Sequence, residues 1–270
     1  MIGLDLDGTL LNTKKELTEY SRNVLRRALD TGIIVLVATG RPYTGIPEEL
    51  RNLPGIRYAL TSNGARVLDT EKDMLLIEEL LPREDAVRAL KVFQKYDTMA
   101  EIYFDGQGYA EEAKMARIHK YHHNPHMWEY VRKSRIMVPD VLGMAEQSTR
   151  DMDKIQGLFA DMDERERAWQ ELMQDKKLEL VGSLKYNIEI NAVGVNKGKS
   201  LVKLGELLGI RREEIMACGD GDNDVAMLRE VGFGVAMGNA EEAVKEKADY
   251  ITETNDEDGA AKAIERYVLL

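Results

Sequence analysis

A single cysteine among 270 residues leaves no internal disulfide to form, and Cys218, between Ala217 and Gly219, reads as a small buried strand residue in a reducing compartment. No apolar run approaches the roughly 20 residues that a membrane helix needs. The first residues carry neither the basic stretch nor the cleavage site of a secretory leader, so a cytoplasmic protein with no membrane partner is expected. Positive charge is short as well. Lys and Arg number 37 against 48 Asp and Glu, a net −11, which argues against nucleic acid or an anionic membrane as partner. Low-complexity segments and internal repeats are missing too. What is present, 44% hydrophobic and 31% charged residues, is the composition of a globular protein long enough to bury a full core, in one large domain or two smaller ones.

The most informative stretch is Met1-Ile-Gly-Leu-Asp5-Leu-Asp7-Gly8-Thr9. A short apolar run reads as a strand, and Gly8 turns the chain. Both aspartates then lie at a strand's carboxyl end, where open α/β sheets hold their ligands. Two anions that close repel unless a cation or a shared proton intervenes. The pair suggests either a magnesium site or a nucleophile beside a general acid; an ordinary Asp-Gly turn is the plain alternative.

Further along, Thr18 is placed to cap a helix carrying Tyr20, Val24, Leu25, Ala28 and Leu29, with Gly32 as its stop. Ile33 to Ala38 is apolar on both faces, as a strand buried between helix layers must be. It ends in Thr39-Gly40-Arg41-Pro42, which brings a hydroxyl, an unhindered amide and a guanidinium to a second strand end. Tyr58 to Thr61 reads as a third strand ending in Ser62-Asn63-Gly64, a hairpin signal with arms at Ala65 to Leu68 and Met74 to Ile77. Asn63 serves either the turn or a substrate. From Pro82 the pattern becomes that of a separate α+β block. It contains His119, His122, His123 and His126 at the spacing of one helix face, interrupted by Pro125; a solvated surface is expected there rather than a metal cluster.

Asn196-Lys197-Gly198-Lys199 opens a helix. A lysine at a helix start opposes the macrodipole, so Lys197 calls for a local anion. Ile215 to Cys218 is a short buried strand delivering Gly219-Asp220-Gly221-Asp222-Asn223-Asp224. Three carboxylates in five residues are costly to hold together without a cation, and the EF-hand spacing with its terminal Glu is not met. Phe233 to Ala236 reads as a strand, Asn239 and Glu242 as a capping box, Tyr250-Ile251 as an edge strand, and Asp258 as the start of a last helix.

Taken in order, Asp5-Leu-Asp7-Gly8-Thr9, Thr39-Gly40-Arg41-Pro42, Ser62-Asn63-Gly64-Ala65, Asn196-Lys197-Gly198 and Gly219-Asp220-Gly-Asp-Asn223-Asp224 make the chain resemble the haloacid dehalogenase-like hydrolase superfamily, and within it the Cof-type phosphatases. The stretches Gly40 to Tyr43 and Ala263 to Val268 look most like its bacterial sugar-phosphate phosphatases. Only four residues precede Asp5, where the family usually has several more, so a short central strand or a trimmed start is expected. The resemblance implies a Rossmann-like doubly wound parallel-sheet core at 1–81 and 189–270, with an inserted α/β cap at 82–188 that sets specificity.

The resemblance also implies a chemistry. Asp5 attacks the phosphorus and forms an aspartyl-phosphate, and Asp7 serves as acid and then base. Thr39, Gly40, Lys197 and Asn223 hold the phosphate. Mg²⁺ is held by Asp5, the Asp7 carbonyl and Asp220, with Asp224 behind them; Asn63 and Arg41 are candidates for contact with a small phosphorylated metabolite. With Asp7 protonated, Asp5, Asp220 and Asp224 are balanced by Mg²⁺ and Lys197. A phosphomutase and a catalytically silent metabolite sensor are the alternatives. Preferred substrate and oligomeric state are not legible.

Overall fold

The structure, a computed structural model, describes residues 1–269. Its strands in chain order are β1 (Ile2–Leu4), β2 (Val35–Ala38), β3 (Tyr58–Thr61), β4 (Arg66–Asp69), β5 (Met74–Glu78), β6 (Thr98–Phe104), β7 (Gln107–Glu111), β8 (Arg135–Val138), β9 (Lys154–Phe159), β10 (Leu178–Val181), β11 (Asn187–Ala192), β12 (Met216–Gly219), β13 (Phe233–Ala236) and β14 (Tyr250–Ile251). By internal contacts the chain forms two units. One comprises Met1–Gly40, Ile46–Glu78 and Asn196–Leu270, the other Arg41–Gly45 and Glu79–Val195.

The first unit holds an eight-stranded sheet in the order β14-β13-β12-β1-β2-β3-β4-β5. From β14 to β3 every pairing is parallel, and β4 and β5 are antiparallel. This is the doubly wound α/β arrangement. All four residues of β2 are buried, as a strand covered on both faces requires. Leu36 and Ala38 join Leu60, Leu201, Leu204, Ala217 and Met227 in one core cluster, which seats the helix Lys197–Leu207 on the sheet. At β1 that helix comes so close that a Cβ on Gly3 would stand 2.5 Å from Leu201 Cδ2. The glycine inside this three-residue strand therefore permits the close packing.

The helix Glu19–Asp30 starts where expected, with the Thr18 side chain accepting from the Ser21 amide. Its end also falls where expected, at Gly32, but the strand that follows starts later than its apolar run. Gly32 takes φ +85°, its amide donates to the Leu29 carbonyl at 2.9 Å and the Ile33 amide to that of Ala28 at 3.3 Å. That Schellman-type cap uses up the Ile33 N–H, so the strand begins at Val35 rather than Ile33. The Ser62-Asn63-Gly64 turn joins β3 to β4, whereas the expected arms, β4 and β5, pair through a separate turn at 70–73.

The second unit holds a six-stranded sheet, β10-β11-β9-β6-β7-β8, antiparallel except between β7 and β8. One face packs Ile102, Phe104, Ile155, Phe159 and Ile188 against Leu90, Phe93 and Leu172 of two helices, Arg83–Phe93 and Met162–Leu172. The other packs Met99 and Leu158 with Tyr121, Val131 and Tyr186. Buried ion pairs join Arg135 to Glu101 and Lys154 to Glu189. The four histidines do not share a helix face. The helix Ile118–Tyr121 stops before Pro125, consistent with the bias of pre-proline residues away from the helical region. His122 is buried with Nδ1 3.0 Å from the Tyr186 hydroxyl, while His119, His123 and His126 are exposed. Among the described residues no helix is long and apolar enough to cross a membrane.

Candidate functional site

The carboxyl ends of β1, β2, β3, β12 and β13 lie along one edge of the first unit's sheet, and the sequence-predicted residues follow them there. Asp5 continues β1 between β12 and β2, its amide donating to the Cys218 carbonyl at 3.1 Å. Asp220 follows β12. The helix that begins at Lys197, capped by the Asn196 side chain at 2.9 Å from the Lys199 amide, directs the Lys197 ammonium into the group. Lys197 Nζ lies 2.6 Å from Asp5 Oδ1 and 2.7 Å from Asp224 Oδ1, and its side chain is 0% exposed. The local anion that a lysine at this position calls for is thus a pair of carboxylates.

Asp224 is engaged on both sides, since its Oδ2 accepts from the amides of Asp220 at 3.0 Å and Gly221 at 2.9 Å. Asp220 is held by Thr9, whose hydroxyl donates to Oδ1 at 2.8 Å. Gly8 makes this approach possible. It takes φ +86°, and a Cβ there would stand 2.3 Å from Asp220 Oδ2, so both backbone and space require glycine. Thr39 is buried at the end of β2, with its amide on the Leu60 carbonyl at 2.9 Å, and its own carbonyl accepts from the Asn63 amide at 3.1 Å. Asn63 takes φ +58°, a left-handed conformation that asparagine tolerates, and its Oδ1 accepts from Asn223 Nδ2 at 3.2 Å. Gly40 follows Thr39 in the same unit. Arg41 groups instead with the second unit, where its guanidinium donates to the Gly45 carbonyl at 2.8 Å and lies 4.4 Å from the Tyr130 ring centroid.

Two residues escaped the sequence reading. The spacing places Asn239 in a capping box, but the short helix Glu242–Lys245 has Glu241 at its cap, and no side chain makes a capping bond there. Asn239 Nδ2 donates instead to the Gly8 carbonyl at 2.9 Å, and its Oδ1 accepts from the Asn255 amide at 2.9 Å. Its place just past the end of β13 was the available signal, because the other strand ends of this sheet carry the site. The second is Lys15, whose ammonium lies 2.9 Å from Asp7 Oδ1.

One carboxylate oxygen each from Asp5, Asp220 and Asp224 lie within 4.8 Å of one another. Burial, against the weaker pull of Lys197, pushes the Asp5 carboxyl up to about 7. Burial and then the neighbouring Asp5 and Asp224 push Asp220 well above the usual carboxylate range. Lys197 is raised above its ordinary value although burial opposes this, because Asp224 and Asp5 both favour its charge. Three clustered carboxylates against one ammonium, offering only hard oxygen donors, fit a magnesium ion.

A pH dependence follows for the metal-free protein. A free aspartate loses its proton near 3.9, so between that value and about 7 the folded state holds a proton at Asp5 that the unfolded chain does not. Stability from this group falls as pH rises through that window. Relative to wild type in chelator, Asp5→Asn is therefore expected to gain in melting temperature from pH 5 to pH 8. A difference that stays flat, or that runs the other way, contradicts the burial argument.

The sequence matches the family described as haloacid dehalogenase-like hydrolase over residues 2–264. It is 35% identical over 271 residues to the 5-amino-6-(5-phospho-D-ribitylamino)uracil phosphatase YcsE of Bacillus subtilis, covering 100% of this chain and 96% of that one. It is 28% identical to the pyridoxal phosphate phosphatase YbhA of Escherichia coli, with coverage of 100% and 98%. Among solved structures, a haloacid dehalogenase-like hydrolase from B. subtilis superposes with a TM-score of 0.88 at 29% identity, covering 99% of both chains.

Proposed function

Because the chain belongs to the haloacid dehalogenase-like hydrolases and is, with its phosphatase relatives, a phosphoric monoester hydrolase, we propose that it cleaves small phosphorylated metabolites, sugar phosphates first, through an aspartyl-phosphate at Asp5. The observation that carries this reading is the buried Lys197 bridging Asp5 and Asp224 beside Asp220.

In this reading Asp5 attacks phosphorus with one carboxylate oxygen while Lys197, bonded to the other, holds its orientation. The P–O bond to the alcohol breaks, and Asp7 gives that oxygen a proton as it leaves. Asp7, now a carboxylate, takes a proton from the water that attacks the acyl phosphate; inorganic phosphate departs and Asp5 is restored. Splitting one displacement in two in this way is covalent catalysis, and the proton traffic at Asp7 is general acid–base catalysis. The Thr39 hydroxyl, the Gly40 amide and the Lys197 ammonium serve the transferring oxygens, and Asn223, braced by Asn63, closes the same side. Asp224 orients Lys197 and the 219–221 turn.

The Asp5 and Asp220 carboxylates and the Asp7 backbone carbonyl are the groups that would hold Mg²⁺. When bound, the ion supplies the positive charge that lets a phosphate dianion approach these carboxylates. Arg41 and Asn63 are the candidates for contact with the alcohol portion of the substrate.

Phosphate release from a sugar phosphate, with Mg²⁺ and with excess chelator, tests the proposal. Chelation is expected to lower the rate by at least about a hundredfold, with recovery on adding Mg²⁺ back. Full activity in demetallated protein overturns it, and isomerisation of a hexose phosphate without phosphate release would point to a mutase.

A further inference from the structure

We infer that Lys15 is a positioning residue for the Asp7 carboxyl group, an inference that rests on the reading of Asp7 as proton donor and acceptor. Lys15 Nζ lies 2.9 Å from Asp7 Oδ1, and the turn that carries it is closed at every step. The Lys15 amide donates to the Asn12 carbonyl at 2.8 Å and the Asn12 amide to the Glu16 carbonyl at 3.1 Å. The Glu16 amide donates in turn to Asn12 Oδ1 at 3.0 Å. Lys15 itself takes φ +68°, a left-handed backbone that is unfavourable for a residue with a Cβ and persists only where its surroundings over-determine it.

The turn is also tied to the body of its unit. The Thr13 amide and hydroxyl both donate to the Asp256 carboxylate, each at 2.7 Å. On the other side, Asp7 forms a β-bridge with Leu11, so the backbones on both sides of the ion pair are fixed.

Folding stability alone does not call for this arrangement. The Lys15 and Asp7 side chains are 21% and 30% exposed, and contact with water screens such a pair and limits what it adds to folding. Proton transfer does need it. A general acid must present a carboxyl oxygen to the leaving oxygen within hydrogen-bond reach. Holding Oδ1 on Lys15 stops rotation of the Asp7 carboxyl about its Cβ–Cγ bond and sets the direction of the other oxygen.

The test uses the leaving group. An alkoxide needs a proton to depart and a nitrophenolate does not, and kcat/KM covers only the steps through leaving-group departure. Values of kcat/KM are measured for a sugar phosphate and a nitrophenyl phosphate in wild type, Lys15→Met, Lys15→Arg and Asp7→Asn, with melting temperatures. A positioned acid contributes about 10²–10⁴ in rate, so losing its orientation is expected to lower the alkyl-to-aryl ratio about tenfold in Lys15→Met. Lys15→Arg should restore most of that ratio, and melting temperatures should stay level.

If Asp7→Asn collapses the ratio while Lys15→Met leaves it at the wild-type value, the inference alone is overturned. Equal losses on both substrates together with a lower melting temperature also overturn it, because they mark a structural role. If Asp7→Asn leaves the ratio unchanged, the proton-donor reading fails and takes this inference with it.

Discussion

Asp5→Asn is expected to lower phosphate release by about four orders of magnitude or more, the scale seen when a catalytic nucleophile is removed. The substitution is nearly isosteric, and an amide oxygen is a far weaker nucleophile than a carboxylate, so the loss falls on the chemical step. It should not come from unfolding. Asp5 is 6% exposed within a group of three carboxylates served by one ammonium. Replacing one of the three by a neutral amide relieves repulsion in the metal-free protein at pH 8. Loss of turnover with a retained or raised melting temperature is the combined result that supports Asp5 as nucleophile. Activity above about one per cent of wild type, with deamidation excluded by mass spectrometry, would show that the attacking group lies elsewhere.

The second large effect is expected at Lys197. Its ammonium is fully buried at 2.6 Å from Asp5 and 2.7 Å from Asp224. Removing one partner of a buried ion pair typically costs about 3–5 kcal/mol, because the charge left behind keeps its desolvation penalty without compensation. Lys197→Met fills much of the same volume and leaves Asp5, Asp220 and Asp224 facing one another. A loss of that size in denaturant unfolding at pH 8, together with loss of turnover, is the expected outcome. Part of the stability should return at pH 5, where Asp5 takes up a proton. The sign follows from its raised pKa of about 7; the protonated form is the one the buried site prefers. Lys197→Arg is not expected to rescue, since a planar guanidinium cannot stand in for a compact ammonium between two carboxylates. Stability within about 1 kcal/mol of wild type for Lys197→Met would mean that Asp5 and Asp224 are neutralised by some means other than this ion pair.

Much of the architecture was legible because it is local. Strand β13, at Phe233–Ala236, coincides with the short run read as a strand. Thr18 caps its helix through a bond only three residues long, and backbone propensity acts over that range. The residues carrying the chemistry were legible for a related reason. Asp5, Thr39 and Asp220 all follow buried strands, and a parallel sheet collects the carboxyl ends of its strands on one edge.

Where local rules compete, the sequence alone misled. Asn239 three residues before Glu242 satisfies a capping pattern, yet its amide serves the Gly8 carbonyl 231 residues away in sequence. Ile33 extends an apolar run, yet its amide closes the preceding helix. Asn63 does make the turn, as one of its two readings had it, and its side chain also accepts from Asn223, a contact that no local rule indicates.

By itself, then, the sequence determined the alternation of strands and helices, the acidic strand ends, and the demand of Lys197 for an anion. Only the tertiary structure decided which anions answer it, that the Thr9 hydroxyl holds Asp220, and that Lys15 reaches Asp7. The reason is the strand order β13-β12-β1-β2-β3. It brings together loops far apart in the chain, 211 residues in the Thr9–Asp220 bond and 231 in the Asn239–Gly8 bond, and no propensity acting over a few residues encodes which loops become neighbours.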